Sequence, residues 1–208
     1  MVKVCLPFKI YSRKLANNMS KLCMQYSRID ASNQMLIFNA LFHMMGYLQA
    51  TDDHSYFDKC IKKMYMEFTK ESKTGGGGHS VQITLRVAQN CFVELLGLNL
   101  PSAYQLGFLY IRQLCLHLRN ARHNMSADQV KSLYSWQLFN CMKLWVLAVC
   151  QHKSELVLLI HPLVQLMTAS IRISGNIKYL PFHLKIINLL NLINEKTGEF
   201  VPICQHIL

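Results

Sequence analysis

The sequence predicts an all-α protein: a HEAT/armadillo-like α-solenoid of antiparallel helix pairs, with a globular helical bundle as the alternative. Three observations carry that expectation. Apolar residues recur at helical spacing through most of the 208 residues, and no strand alternation of any length competes with them. Nine Gly and five Pro are few for an all-β chain full of tight turns. Turns between the periodic stretches are mostly short, which favours helices packed beside their sequence neighbours. A helix with one apolar stripe, or nearly two, is satisfied when it contacts both its pair-mate and the next pair.

Taken in order, Tyr11, Leu15, Asn18, Leu22 and Tyr26 fall on one face of a helix over about 9–28. Asp30 or Ser32 can cap a second helix with the stripe Phe38, Leu41, Met45 and Leu48. The acidic pair in "TDDHS" suits the N-terminus of a third, which buries Phe57, Ile61, Met64, Tyr65 and Phe68. A fourth carries Val81, Leu85, Ala88, Phe92 and Leu95, and Gly97 ends it. "LNLPSA" makes a corner before a fifth, whose stripe runs Tyr104, Gly107, Phe108, Ile111, Leu114, Cys115 and Leu118. The sixth, over about 128–151 with Ser126 or Asp128 as cap, is apolar nearly all round and needs neighbours on most sides. The seventh, about 154–173, contains Pro162, so a kink or break is expected near His161. In "KYLPFHLKIINLLNLINEKTGEFVPI" (178–203), Pro181 fits a first helical turn and Gly198 a left-handed C-terminal cap. Phe182, Ile186, Leu189, Leu190 and Ile193 form the stripe between them. Pro202 can open a further helix, which the chain leaves unfinished.

"SKTGGGGHS" (72–80) holds four successive glycines, but no G-x-x-x-x-G-K-[ST] pattern and no preceding strand. It reads as a flexible surface loop, not a phosphate cradle. The expected organisation is one continuous solenoid: N-terminal repeats over 1–74, a Gly-rich loop over 75–80, and C-terminal repeats over 81–208.

The formal net charge is +11, from 22 Lys and Arg against 11 Asp and Glu. Through Tyr104 there are 12 basic and 7 acidic residues, and beyond it 10 and 4. The excess is therefore spread along the chain, with no basic tail, and it favours an acidic partner. None of the eight cysteines forms a C-x-x-C pair, and most lie inside apolar helical runs, so they are expected to be reduced core thiols. The nine histidines lack zinc-type spacing, which predicts no metal site. No signal peptide is read at the start. "LVLLIHPLVQLMTASI" (156–171) is shorter than the ~20 residues a bilayer span needs and contains His161, Pro162 and Gln165, so it is expected to be a core helix. Asp52–Asp53, the adjacent acid pair, reads as a helix start rather than acid/base machinery, and no third member singles out a Cys–His dyad. No cofactor or small-molecule substrate is expected, and the chain is expected not to be an enzyme.

At residues 90–122 and again at 133–203, the sequence resembles the nucleolar complex protein 2 family. The segments that carry the resemblance are "NCFVELLGLNLPSAYQLGFLYIRQLCLHLRNA", "YSWQLFNCMKLWVLAV", "SELVLLIHPLVQLMTASIRI" and "KYLPFHLKIINLLNLINEKTGEFVPI". Their order and spacing match as well. The chain departs from the family at Leu106–Gly107, where His-Ala is usual after "YQ". The resemblance implies a helical-repeat scaffold of the nucleolus and nucleoplasm that acts in assembly and intranuclear transport of large (60S) ribosomal subunit precursors. The implied partners are nucleolar complex proteins 1 and 3, pre-60S particles and precursor rRNA. The alternative it implies is a transcriptional corepressor that binds histones and blocks their acetylation.

For RNA or partner binding, Arg112 and Arg119 lie seven residues apart on one face of the fifth helix, roughly 10 Å along its axis, with Arg122 beyond. Tyr110 and Gln113 sit between or beside them. Such a row suits phosphates or an acidic protein. Lys62 and Lys63, in a lysine-rich stretch from Lys59 to Lys73, make a second candidate on the third helix, though Asp58, Glu67 and Glu71 are interspersed. Trp136 and Trp145 are nine apart and point in roughly opposite directions; the apolar helix that carries them favours core positions, with one reaching a neighbouring pair or a partner protein as the alternative.

Overall fold

The computed structural model describes residues 38–40, 42–43, 45–46, 54–74, 79–123, 127–173 and 176–203. Every regular element among them is helical. The helix expected over 9–28 and the glycine run lie outside the described residues, as do Leu41 and Leu48. Two compact units are present: Met1–Glu71 with Gly77–Asn99, and Ser72–Gly76 with Leu100–Leu208.

In the first unit, α1 (His54–Glu71) packs on α2 (His79–Leu96). Phe57, Ile61, Tyr65 and Phe68 are buried as the helical period requires, Cys60 joins them, and Met64 is half-buried. Leu85, Phe92 and Leu95 answer from α2, and the Tyr65 and Phe92 ring centroids are 6.2 Å apart. Met45, in a helical stretch further upstream, is also buried. Gly97 ends α2, and three successive i→i+3 bonds tighten the exit: Gly97 N–H to the Glu94 carbonyl, Leu98 to Leu95, and Asn99 to Leu96. They satisfy carbonyls the helix itself leaves without donors.

The second unit begins α3 (Leu100–His123) earlier than the expected corner, with Pro101 in the first turn, where its missing N–H costs nothing. What the sequence reads as one helix over 128–151 is two, α4 (Ala127–Leu133) and α5 (Trp136–Gln151). The break falls at Tyr134–Ser135, because the Ser135 hydroxyl accepts a hydrogen bond from Leu138 N–H at 3.3 Å and starts α5 afresh. Next come the single turn α6 (Lys153–Leu156), a 3₁₀ turn at Val157–Leu159, and α7 (Ile160–Arg172). The interruption expected near His161 therefore occurs just upstream, which leaves Pro162 in the first turn of α7, where a proline is tolerated. Lys153–Arg172 is long and apolar enough by length and composition to cross a membrane. Its Leu156, Leu159, Leu163, Leu166 and Met167 are nevertheless fully buried, and α7 packs on α3, α5 and α8. That is the pattern of a helix with one face in the core, 39% of its apolar stretch being buried.

α8 (Leu180–Thr197) has Pro181 in its first turn and closes at Gly198, whose φ of 68° is the left-handed conformation glycine favours. The Gly198 N–H donates to the Asn194 carbonyl at 2.9 Å, and the Lys153 ammonium donates to the Thr197 carbonyl. A cation at a helix C-terminus is favourable on both counts, charge and hydrogen bond. Beyond the cap, Val201–Ile203 is irregular, and the rest of the further helix expected from Pro202 lies outside the described residues.

α5 is the centre of this unit. It packs on α3, α6, α7, α8 and the 3₁₀ turn Ser72–Thr74, and Met142, Leu144, Trp145, Val146, Ala148 and Val149 have no exposure at all. Trp145 stacks on Tyr110 with centroids 6.1 Å apart. A Cβ on Gly107 would lie 2.7 Å from Leu159 Cδ1 and 3.2 Å from the Trp145 ring, so the bare glycine is what allows this close approach. The expected stripe of α3 needs one correction. Gly107, Ile111 and Leu118 are buried, but Phe108 is half-exposed, and Ala103, Leu106 and Tyr110 face the core in its place.

A basic groove between two helices

Where α3 runs alongside α7, the second unit has a groove of about 720 Å³. Its base is apolar, with Leu118 and Leu166 buried and Cys115 half-buried. Its rim is not. Arg119 and Arg122 come from α3 and Arg172 from α7, all three exposed, with Gln165 and Thr168 between them. An i, i+3 pair on a helix stands side by side, so Arg119 and Arg122 form one wall and Arg172 faces them from the other helix. No carboxylate lines the groove among the described residues.

Three guanidinium groups above an apolar floor produce a concentrated positive potential. Each guanidinium presents a fork of N–H donors matched to phosphate or carboxylate oxygens. The one thiol in the groove, Cys115, is pushed above its ordinary pKa by burial, which keeps it protonated and a poor nucleophile. The groove is equipped to hold anions.

Of the residues the sequence nominates, Arg119 and Arg122 meet here. Arg112 and Gln113 are exposed on the same helix but do not line the groove. Tyr110 is corrected to a core residue, since its ring is buried on Trp145. Lys62 and Lys63 are exposed on α1, in the other unit, where nearby Lys70 pairs with Glu67 at 3.2 Å. Sequence reasoning missed Arg172, Gln165 and Thr168. The available signal was the i, i+4, i+7, i+11 spacing of His161, Gln165, Thr168 and Arg172, a polar stripe on an otherwise apolar helix.

Trp145 is a core residue as expected, whereas Trp136 is 40% exposed and takes the alternative place. The Lys185 ammonium sits 4.0 Å from the Trp136 ring centroid, a cation–π contact joining α8 to α5.

Among the described residues the fold is all-helical, and the groove gathers three arginines with no carboxylate in its lining. The chain belongs to the Noc2p family, which matches residues 55–208 and so spans α1 to α8. It is 33% identical over 148 residues to the nucleolar complex-associated protein 2 of Arabidopsis thaliana, covering 70% of this chain and 19% of that protein. It is 29% identical over 205 residues to the nucleolar complex protein 2 of Drosophila melanogaster, covering 98% and 26%. Protein REBELOTE of Arabidopsis thaliana is 25% identical over 154 residues, covering 73% and 25%. The chain thus spans about a fifth to a quarter of the length of these curated relatives. Family membership supports a location in the nucleolus, the compartment for which the first two relatives are named.

Proposed function

We propose that this chain is part of a non-catalytic helical-repeat scaffold that assembles large ribosomal subunit precursors and moves them within the nucleus. It does so by holding partner proteins, nucleolar complex proteins 1 and 3 among them, and precursor rRNA. In this reading the helices stack as antiparallel pairs of a HEAT/armadillo-like solenoid. Support comes from α5, which is buried on nearly every side and packs on several helices at once, as a central repeat helix does. The observation that carries the RNA part is the convergence of Arg119, Arg122 and Arg172 on one groove.

Polyphosphate binding through such a groove depends on salt, because each neutralised phosphate releases counterions. Three contacts to single-stranded RNA give a slope of about −2 in log affinity against log salt, roughly a 20-fold loss between 50 and 200 mM. The test is retention of precursor rRNA transcripts across that range by the wild type and by R119A/R122A/R172A. Expected are a salt-dependent affinity and a flatter, weaker curve for the variant. Equal retention at low and high salt contradicts the proposal. Histone tails, being basic, are repelled by three arginines, so their strong retention would favour the corepressor alternative.

A further inference from the structure

The polar stripe of α7 is shared by two cavities. Gln165, Thr168 and Arg172 line both the arginine groove and a second hollow of about 420 Å³ formed with the segment after α8. The two adjoin along that shared stripe as a trough with unlike ends, Arg119 and Arg122 at the first and Arg172 on both. The other end has Phe200, a residue 86% exposed on the irregular segment that follows the Gly198 cap.

The geometry points to a ligand, single-stranded RNA, that lays its phosphates among the three arginines and stacks an unpaired base on Phe200. The inference rests on the RNA-binding reading above and narrows it to one form of RNA. Exposing a phenylalanine this far costs apolar burial unless something covers it. An aromatic ring beside a basic channel is the combination by which proteins hold unpaired nucleotides, since every base offers a π-face. A duplex has its bases already stacked and its edges turned inward, so it can use the arginines but not the ring. Glu199 and Arg172 both line the second hollow, whereas Arg119 and Arg122 line the first with no carboxylate beside them. Phosphate is therefore favoured at the Arg119–Arg122 end, which leaves the base to the ring.

The test is the affinity of the full chain for a fluorescent single-stranded oligoribonucleotide and for a duplex of the same length, with F200A, F200W and R119A/R122A/R172A. Losing one stacked base lowers single-strand affinity about 5- to 150-fold. F200A should show that loss with an unchanged salt slope and unchanged duplex affinity, and F200W should restore single-strand binding. The triple arginine variant should lower the salt slope by about 2. The inference is overturned if F200A binds the single strand as the wild type does, or if single strand and duplex bind equally. It is also overturned if poly-glutamate displaces RNA as well as unlabelled oligonucleotide does, because the trough is then an acidic-peptide site. Arginine-dependent, salt-sensitive binding that ignores Phe200 defeats this inference alone, whereas no retention of RNA in either form defeats the broader reading too.

Discussion

His183 lies on the inner face of α8, its ring 5.7 Å from that of Tyr134 and 6.4 Å from that of Phe182. Its Nε2 is buried with no hydrogen-bond partner. Burial disfavours the imidazolium and holds the pKa below the ordinary 6.5. Below pH 6.5 the unfolded chain takes up a proton that the folded chain resists, so stability is intact above that pH and falls as pH drops towards the lowered value. We expect the urea midpoint to decrease from pH 7.5 to 5.5, and His183→Phe to shrink the decrease; an identical decrease in the variant contradicts this. At this scale the sequence was legible in part. Period alone gave Gly107, Ile111 and Leu118, but Phe108 and Tyr110 are both apolar enough to face inward. What decides between them is the contact of Gly107 with Trp145 and Leu159, residues 38 and 52 positions away along the chain. Helical spacing within α3 does not contain that information.

Caps and breaks belong to the scale of elements. Pro181 and Gly198 act locally, and their roles are as readable in sequence as in structure. Ser135 also acts locally, yet the apolar run on both sides of it masks the break between α4 and α5. The break matters because Tyr134, whose N–H still closes the last turn of α4 on the Val130 carbonyl, stacks on Tyr179 at 4.0 Å and donates its hydroxyl hydrogen to the Ser170 carbonyl at 3.2 Å. The junction is thereby tied to α7 and to the turn before α8. Removing an N-cap of this kind costs about 0.5–2 kcal/mol. Ser135→Ala is expected to lower unfolding free energy within that range in denaturant titration, while Ser135→Asp, which keeps an acceptor, holds most of it. A Ser135→Ala variant as stable as the wild type would mean that packing, not the cap, sets the break.

For the whole molecule, the net charge of +11 favours an acidic partner without saying where it would sit. Arg119 and Arg122 could be nominated because they share a helix. Arg172 could not, since its place opposite them depends on how α3 and α7 pack, and 49 residues separate it from Arg122. Grooves between helices are properties of packing, and a single sequence shows only the faces that could contribute to them. The central claim is that this positive groove, not a reactive group, connects the chain to ribosome precursors. The most direct measurement is affinity purification of the intact protein from cells, wild type beside R119A/R122A/R172A, with the bound RNA sequenced and the bound proteins identified. The account predicts large-subunit precursor RNA and nucleolar proteins with the wild type, and loss of the RNA with folding preserved in the variant. Undiminished precursor RNA on the variant, or none on the wild type, would contradict it.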